Sequence, residues 1–129
     1  MKSKTEEQWV GQQAELWALQ YLQQQGLKLV ERNFNCHSGE IDLILRDKEE
    51  LVFMEVRYRR KKSHGTGVET VDGPKQRKIL RSAEYYLYSK KLWDHPCRFD
   101  VIGISLDTQQ QVELVWEKNA FDGNYTHSS

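Results

Sequence analysis

Two acidic residues and one basic residue lie at a spacing that suits metal-dependent chemistry in a predicted β-hairpin. Asp42 is on the first arm, Glu55 lies opposite it on the second, and Arg57 follows Glu55 by two positions. Opposed side chains in a hairpin have Cβ atoms about 4.5–5.5 Å apart, so the two carboxylates of this acidic pair repel each other when both are ionised. Mg²⁺ relieves such repulsion, because it takes oxygen ligands from one or two carboxylates and completes its shell with water or phosphate. The alternative is a solvated face with an ion pair between Glu40 and Arg57, and the spacing alone favours neither.

The hairpin is predicted from two alternating segments, 39–45 and 51–58, on either side of a polar turn centred on Lys48 and Glu49. Three apolar pairs then share one face: Ile41–Val56, Leu43–Met54 and Leu45–Val52. The same register places the acidic pair on the other face. A slip of one residue would mix the two faces, so the apolar pattern selects this register.

Length and composition are those of one globular domain. The chain has 129 residues, of which 38% are hydrophobic and 29% are charged. We expect a single domain, 1–129, with a frayed tail over 118–129. No apolar run approaches the roughly 20 residues that span a membrane, and the polar N-terminus has no secretory signal. We therefore predict a cytoplasmic protein with no membrane partner.

Cysteine usage agrees with a cytoplasmic protein. Cys36 and Cys97 are the only cysteines, and they lie far apart in the chain and outside any CxxC pattern. Together with His37 and His95 they could in principle surround zinc, but adjacent Cys and His residues are poor ligands for one tetrahedral site. We expect two reduced thiols near strand ends.

The charge is unevenly distributed, although it sums to zero. Residues 51–91 hold 11 Lys and Arg against 4 Asp and Glu, a balance of +7, and the rest of the chain carries −7. A basic surface attracts nucleic acid even when the whole protein is neutral. Within the basic part, the segment 59–67 has no hydrophobic pattern and is predicted to be a mobile surface loop.

Two predicted helices frame the hairpin. The first covers about 6–25 and stops at Gly26. Glu15 lies at the edge of its apolar stripe, either as a solvated boundary residue or as a carboxylate that leans toward the sheet. The second helix opens near Pro74, and lysines and arginines in its first turns oppose the helix macrodipole, which suggests another use for them. Strands over 27–34, 98–106 and 111–116 complete the order α-β-β-β-α-β-β, a mixed sheet flanked by helices in an α/β layered domain.

Six short motifs occur in a fixed order between Gly11 and Val115. They are Gly11-x-x-Ala14-Glu15-x-x-Ala18-x-x-Tyr21-Leu22, Glu31-Arg32-Asn33, Gly39-Glu40-Ile41-Asp42-Leu43-Ile44, Val52-Phe53-Met54-Glu55-Val56, Lys75-Gln76-Arg77 and Arg98-Phe99-Asp100-Val101. Each is weak by itself, but the ordered set is fairly specific and resembles the YraN family of small bacterial proteins. The resemblance implies a restriction-endonuclease-like fold, similar to that of Holliday-junction resolvases, with three layers and a mixed central sheet.

The resemblance also implies roles for the acidic pair and its neighbours. In the fold that this family resembles, an Asp and a Glu on adjacent strands bind Mg²⁺, and a Lys two residues after the Glu assists the attacking water. Asp42 and Glu55 match the two ligands, the Val56 carbonyl would be a further ligand, and Glu15 matches a third carboxylate of resolvase-like nucleases. Arg57 stands at the lysine position, and it cannot act as a general base because arginine stays protonated.

Two residues of the second helix are candidates for the role of the lysine that Arg57 replaces. Lys75 or Gln76 could supply the group that assists the attacking water, as happens among relatives of this fold. Arg57 could still hold the scissile phosphate through its fork of donors.

The expected function is that of an endonuclease-like protein that uses Mg²⁺ or Mn²⁺ to hydrolyse phosphodiester bonds in DNA, in repair or recombination. The residues expected to contact the nucleic-acid backbone are Arg59, Arg60, Lys61, Lys62, Lys75, Arg77, Lys78 and Arg81. Junction-cleaving relatives of the fold are often dimers, so a homodimer is one expected state.

Two other functions remain open. The first is a nucleic-acid-binding module on the same fold that does not cleave, with Arg57 marking the loss of catalysis. The second is an interaction protein whose exposed aromatic residues dock a partner. Trp9, Trp93 and Trp116 are available for this, although tryptophan at amphipathic spacing is more often part of the core.

Overall fold

A computed structural model describes residues 6–60, 71–109 and 111–121, with side chains from residue 11 to 58 and in the two later ranges. These ranges contain two helices and five strands in the predicted order α-β-β-β-α-β-β. Their bounds are α1 Glu6–Gln24, β1 Lys28–Cys36, β2 Gly39–Asp47, β3 Glu50–Arg60, α2 Gly73–Ser89, β4 Cys97–Leu106 and β5 Val112–Phe121.

The five strands form one sheet in which spatial order follows chain order. The pairs β1–β2, β2–β3 and β4–β5 are antiparallel, and β3 and β4 are parallel. A parallel pair needs a crossover connection, and the segment that contains α2 provides it. Because α1 and α2 pack on opposite faces of the sheet, the domain has three layers. The predicted restriction-endonuclease-like architecture is confirmed.

Local signals set the helix ends as expected. α1 ends at Gln24, and Gly26 follows with a φ of 98°, a conformation that glycine adopts at no steric cost. α2 has Pro74 in its first turn, and the carboxylate of Asp72 caps it by accepting a hydrogen bond of 2.9 Å from the Lys75 N–H. Within the described ranges, neither helix is long and apolar enough to cross a membrane.

Apolar side chains cover both faces of the sheet. Leu43, Leu45, Val52 and Met54 pack with the α1 side, and Ile41, Ile44, Leu51 and Phe53 pack with the α2 side. The predicted half-buried hairpin with one apolar face is therefore wrong, and Ile41 is not on the face of Leu43. A sheet that contains a parallel pair is normally covered on both sides, so its central strands are apolar in nearly every position.

The register of the hairpin is confirmed over its turn-proximal part. β2 pairs with β3 from Asp47–Glu50 to Leu43–Met54, and the turn is Lys48-Glu49. The ladder ends there, so Asp42 and Glu55 are not a regular cross-strand pair as predicted. Beyond that point the Val56 N–H donates to the Asp42 carboxylate, at 2.8 Å, rather than to a β2 backbone carbonyl.

Two predicted ends of ordered structure differ from the observed ones. β5 continues past Lys118 to Phe121, which is buried and stacks on Phe99 with ring centroids 5.3 Å apart, so fraying does not begin at 118. Residues 122–129 lie outside the described part of the chain. β3 continues through Arg59 and Arg60, which pair with β4, so the predicted loop does not begin at 59. The remainder of that loop, 61–67, lies outside the described residues.

Candidate functional site

The acidic pair meets where β2 separates from β3. The Asp42 carboxyl accepts the Val56 N–H and also shares a hydrogen bond with the carboxyl of Glu55. Burial is the main reason that the pKa of Asp42 rises from 3.8 to about 7, and the hydrogen bond to Glu55 and its charge add to the rise. The Val56 N–H and the nearby Lys75 act in the opposite direction. Asp42 is therefore partly protonated near neutral pH in the metal-free protein.

A lysine from α2 completes the contacts of Glu55. Lys75 Nζ lies 3.4 Å from Glu55 Oε2, in an ion pair where the Glu55 side chain is 8% exposed and the lysine 43%. Lys75 is in the first turn of α2, where a cation opposes the helix macrodipole, and the carboxylate of Glu55 offsets that effect. The ammonium group therefore reaches the acidic pair from the helix while it remains accessible to solvent.

Close packing of α2 on β2 brings Lys75 to this position. Gly39 begins β2 with a φ of 149°. A Cβ at this position would lie 3.4 Å from Ser82 Oγ and 3.8 Å from the Cβ of Lys78, both on α2. Both are ordinary van der Waals distances, so the helix packs directly on the start of the strand, and it is the backbone conformation of Gly39 that favours glycine.

Glu15 lies beside the acidic pair on α1. Burial, followed by the charge of Asp42, raises the pKa of Glu15, whereas the charge of Arg32 and a hydrogen bond with the Asn33 side chain lower it. The Arg32 guanidinium is 3.7 Å from the Glu15 carboxylate. Asn33, with a φ of 52°, falls between two paired positions on β1 and thus faces Asp42 on β2. The first helix and the edge strand therefore hold a third carboxylate near the pair.

A cleft of about 710 Å³ opens next to this carboxylate. Its lining residues are Gly11, Gln12, Ala14, Glu15, Glu40, Val56 and Tyr58. The cleft thus joins the N-terminal half of α1 to the end of β3 that follows Glu55, and it is large enough to admit part of a substrate.

The donor set fits a hard divalent cation that keeps most of its water. In the part of the chain that the structure describes, no three His, Cys, Asp or Glu side chains are grouped closely enough to hold a metal ion. The acidic pair offers two adjacent carboxylates, and a cation between them would displace the proton from Asp42 and remove the repulsion. Two carboxylates with water and phosphate oxygens are the usual environment of Mg²⁺ in proteins.

The other predicted catalytic residues take different positions. Arg57 is half-buried on β3, paired with Gly103 of β4, two residues beyond Glu55. The Gln76 side-chain amide donates to the Val71 carbonyl at 2.7 Å, so it anchors the segment that leads into α2.

The predicted phosphate-binding residues divide into two groups. Arg77, Lys78 and Arg81 are exposed on α2. Arg59 and Arg60 belong to β3, with side chains outside the described residues, and Lys61 and Lys62 lie wholly outside them. Only the α2 group has described side chains, and it lies on the same helix as Lys75, which contacts the acidic pair.

A buried charge network that was not predicted from the sequence lies at the end of the central strands opposite to the acidic pair. The fully buried carboxylate of Asp100 accepts hydrogen bonds from Arg98 Nε, Trp116 Nε1 and the Asn119 N–H, at 2.8–3.1 Å. Arg98 also pairs with Asp47 at 2.9 Å and with Glu50 at 3.0 Å. The sequence contains a signal for this network, because the charged residues Arg98 and Asp100 alternate with apolar residues in a strand that is otherwise suited to the core. The network ties the hairpin turn to β4 and β5.

Comparisons with known proteins place the chain in one family. The model of the uncharacterised protein family UPF0102 matches residues 14–104. A UPF0102 protein of Pseudomonas syringae pv. syringae (strain B728a) is 46% identical over 95% of this chain and 99% of its own. A UPF0102 protein of Alcanivorax borkumensis is 49% identical over 86% of this chain and 90% of its own, and one of Stutzerimonas stutzeri (strain A1501) is 45% identical over 92% and 98%. The matched region contains the acidic pair, Glu15 and Lys75.

Proposed function

The chain belongs to the uncharacterised protein family UPF0102, in agreement with its resemblance to the YraN family, and from the geometry of its acidic pair we propose that it is a metal-dependent nuclease that hydrolyses phosphodiester bonds in DNA. One observation carries the proposal. Asp42 and Glu55 share a hydrogen bond at the point where two central strands separate, with Lys75 Nζ 3.4 Å from Glu55. Two carboxylates held so close together repel each other when both are ionised, and a bound cation would remove that repulsion.

Asp42 and Glu55 would hold Mg²⁺ or Mn²⁺, with the Val56 carbonyl as a further oxygen ligand, and the nearby Glu15 would contact water bound to the cation. When bound, such a cation lowers the pKa of water and neutralises charge on a phosphate. The Val56 N–H fixes the orientation of the Asp42 carboxylate, so the ligand is held in place before substrate arrives.

Lys75 would supply the ammonium group that a lysine at the position of Arg57 provides in the related fold. Its contact with Glu55 puts it beside the acidic pair, and a lysine that is partly exposed can donate to a phosphate oxygen or to the attacking water. Arg57 lies two residues beyond Glu55 and offers a planar fork of donors, which suits a phosphate but not proton abstraction. The lysine function is thus moved from the strand to the following helix.

The exposed cations of α2 extend this positive charge away from the site. Arg77, Lys78 and Arg81 follow Lys75 on the helix and would contact the nucleic-acid backbone with little dependence on sequence. Such contacts predict affinity that falls steeply as salt is raised.

A second function is favoured by one specific contact. The ion pair between Lys75 and Glu55 neutralises one ligand carboxylate, and a chain that only binds nucleic acid would keep this pair for stability. In that case the domain is a nucleic-acid-binding module without cleavage. It would bind DNA in EDTA and give no product with any cation.

Cleavage assays with labelled duplex, branched and single-stranded DNA in Mg²⁺ or Mn²⁺ test the proposal. We expect product with at least one substrate, and none with Asp42→Asn, which keeps an oxygen for the Val56 N–H but removes the charge. Glu84→Gln, an exposed change on α2, is the matched control and should cleave like the wild type. Salt-sensitive binding without cleavage would establish the second function instead.

A further inference from the structure

Exposed side chains of α2 form a stripe that is basic near the start of the helix and aromatic near its end. Lys78, Arg81, Tyr85 and Tyr88 follow one another at spacings of three or four residues, so they lie on one face. The two cations are near the end of the helix that reaches the acidic pair, and the two tyrosines are near the other end. Their solvent exposure is high, at 56% for Tyr85 and 75% for Tyr88.

A tryptophan extends the aromatic end of this stripe. Trp93, just after α2, is 58% exposed, and its ring centroid is 5.7 Å from that of Tyr88 at an interplanar angle of 41°. Rings at this distance are in contact, so no base fits between them, and a flat ligand would lie on their outer faces. Tyr85, Tyr88 and Trp93 form what we call the aromatic platform. The expectation that tryptophan is part of the core is wrong for Trp93 and right for Trp116, which packs with Tyr21 and donates to Asp100.

The chemistry of the stripe identifies one kind of ligand. Exposed cations followed by exposed aromatic rings suit a polyanion that also presents flat apolar faces, and a nucleic-acid strand has both. In an intact duplex the faces of the bases are stacked on each other, so aromatic side chains reach them only where bases are unpaired. Glu84 is exposed beside the stripe, three residues after Arg81 and four before Tyr88, so the stripe carries one carboxylate among its two cations and two tyrosines.

We propose that α2 guides a strand with unpaired bases, whose backbone contacts Lys78 and Arg81 and whose bases stack on the aromatic platform. This inference rests on the proposed function for its link to cleavage, and it names the substrate class as single-stranded or branched nucleic acid rather than continuous duplex. From Lys75 to Tyr88 the helix rises by roughly 20 Å at about 1.5 Å per residue. The cleaved phosphate therefore lies several nucleotides away from the stacked bases.

Binding measured in EDTA separates this inference from catalysis. Fluorescence anisotropy would compare a labelled oligothymidylate, an oligomer of the same length with abasic sites, and a duplex. The wild type should bind oligothymidylate about tenfold or more tightly than the abasic strand, since each stacked base contributes substantially to affinity. Tyr88→Leu and Trp93→Leu should each remove most of this preference, and Tyr88→Phe, which keeps the ring, should retain it.

Two further variants complete the test. Lys78→Ala should weaken binding of all three ligands alike and lower the salt slope by about one. Val115→Ala, at an exposed apolar position of β5, should bind like the wild type. If the platform variants keep the preference for bases, the inference is wrong, whatever the cleavage assay gives. If they instead convert a dimer to a monomer in light scattering with no change in the preference, the platform is an interface between copies of the chain. Absence of binding to all three ligands would overturn both this inference and the proposed function.

Discussion

Lys75 and Glu55 lie 20 residues apart in the chain, one in the first turn of a helix and the other on the central strand, yet their charged atoms are 3.4 Å apart. The helix thus brings an ammonium group to a carboxylate of the central strand. On that strand the residue two positions after Glu55 is an arginine, Arg57.

Lys75→Met should reduce the rate of DNA cleavage by about 100-fold or more and leave affinity for DNA within a few-fold, because the ammonium acts on the reacting groups. Single-turnover kinetics with saturating protein would separate the two effects. Lys78→Met, one turn further along α2, is the matched control and should weaken binding without a change in the saturated rate. Equal losses of rate in the two variants would contradict a special position for Lys75.

Arg57→Lys should change the saturated cleavage rate by no more than a few-fold, since Lys75 already supplies the ammonium group. Arg57→Ala should raise the concentration of DNA needed for half-maximal rate, as expected for loss of a phosphate contact. Initial rates over a range of DNA concentrations would distinguish these effects. A large gain of activity in Arg57→Lys would mean that the lysine function is absent from the wild type.

Stability of the metal-free protein should depend on pH through Asp42. The pKa of Asp42 is higher in the folded state, at about 7, than its ordinary value of 3.8, so the folded protein binds the proton more tightly. Its contribution to stability is complete below about pH 4 and is lost as pH rises through 7. We expect the difference in unfolding free energy between wild type and Asp42→Asn to fall by on the order of 4 kcal/mol over this range, since the pKa of Asp42 is raised from 3.8 to about 7.

Urea denaturation in EDTA at several pH values measures this difference. Asp42→Asn should be the more stable protein at pH 8, because it relieves the repulsion from Glu55. A difference that is constant from pH 4 to pH 8 would show that the pKa of Asp42 is not raised in the folded state.

Mn²⁺ should raise the Tm of the wild type more at pH 8 than at pH 5.5, because protons compete with the cation for Asp42, whose pKa is about 7. Calorimetry at pH 8 should detect binding that Asp42→Asn and Glu55→Gln abolish. Glu15→Gln should weaken binding by a smaller factor, because Glu15 would contact the cation through water, and Glu84→Gln should have no effect. Binding that survives loss of Asp42 would place the cation elsewhere.

Asp100→Ala should destabilise the fold by about 3–5 kcal/mol, because it leaves the partly buried guanidinium of Arg98 and two N–H groups without their acceptor. Tm should fall by on the order of 10 °C. Asp47→Ala removes a more exposed partner of Arg98 and should have an effect of about 1 kcal/mol or less. Thermal unfolding by circular dichroism would compare the two, and similar losses would argue against the buried network.

Features set by local pattern could be predicted from the sequence. The ends of α1 and α2 follow from Gly26 and Pro74, and the hairpin register follows from the apolar residues on either side of Lys48-Glu49. These signals depend on neighbours in the chain, so no knowledge of tertiary contacts is needed.

Features set by tertiary contact could not be predicted in the same way. The end of the β2–β3 ladder depends on one bond, from the Val56 N–H to Asp42, and β5 reaches Phe121 because of stacking on Phe99. The approach of Lys75 to Glu55 depends on how α2 docks on β2. The roles of the acidic pair came from resemblance, since spacing alone also allowed a solvated face.

The sheet has its strands in chain order, and this has a consequence for how the protein folds. Three of its four strand pairings join consecutive strands in hairpin fashion, so most contacts within the sheet are local in sequence. Asp42 and Glu55 lie on the two arms of one hairpin, 13 residues apart in the chain, so their approach closes only a short loop. Lys75 reaches them only through the crossover that contains α2, so its contact with Glu55 requires the helix to dock as well as the hairpin to form.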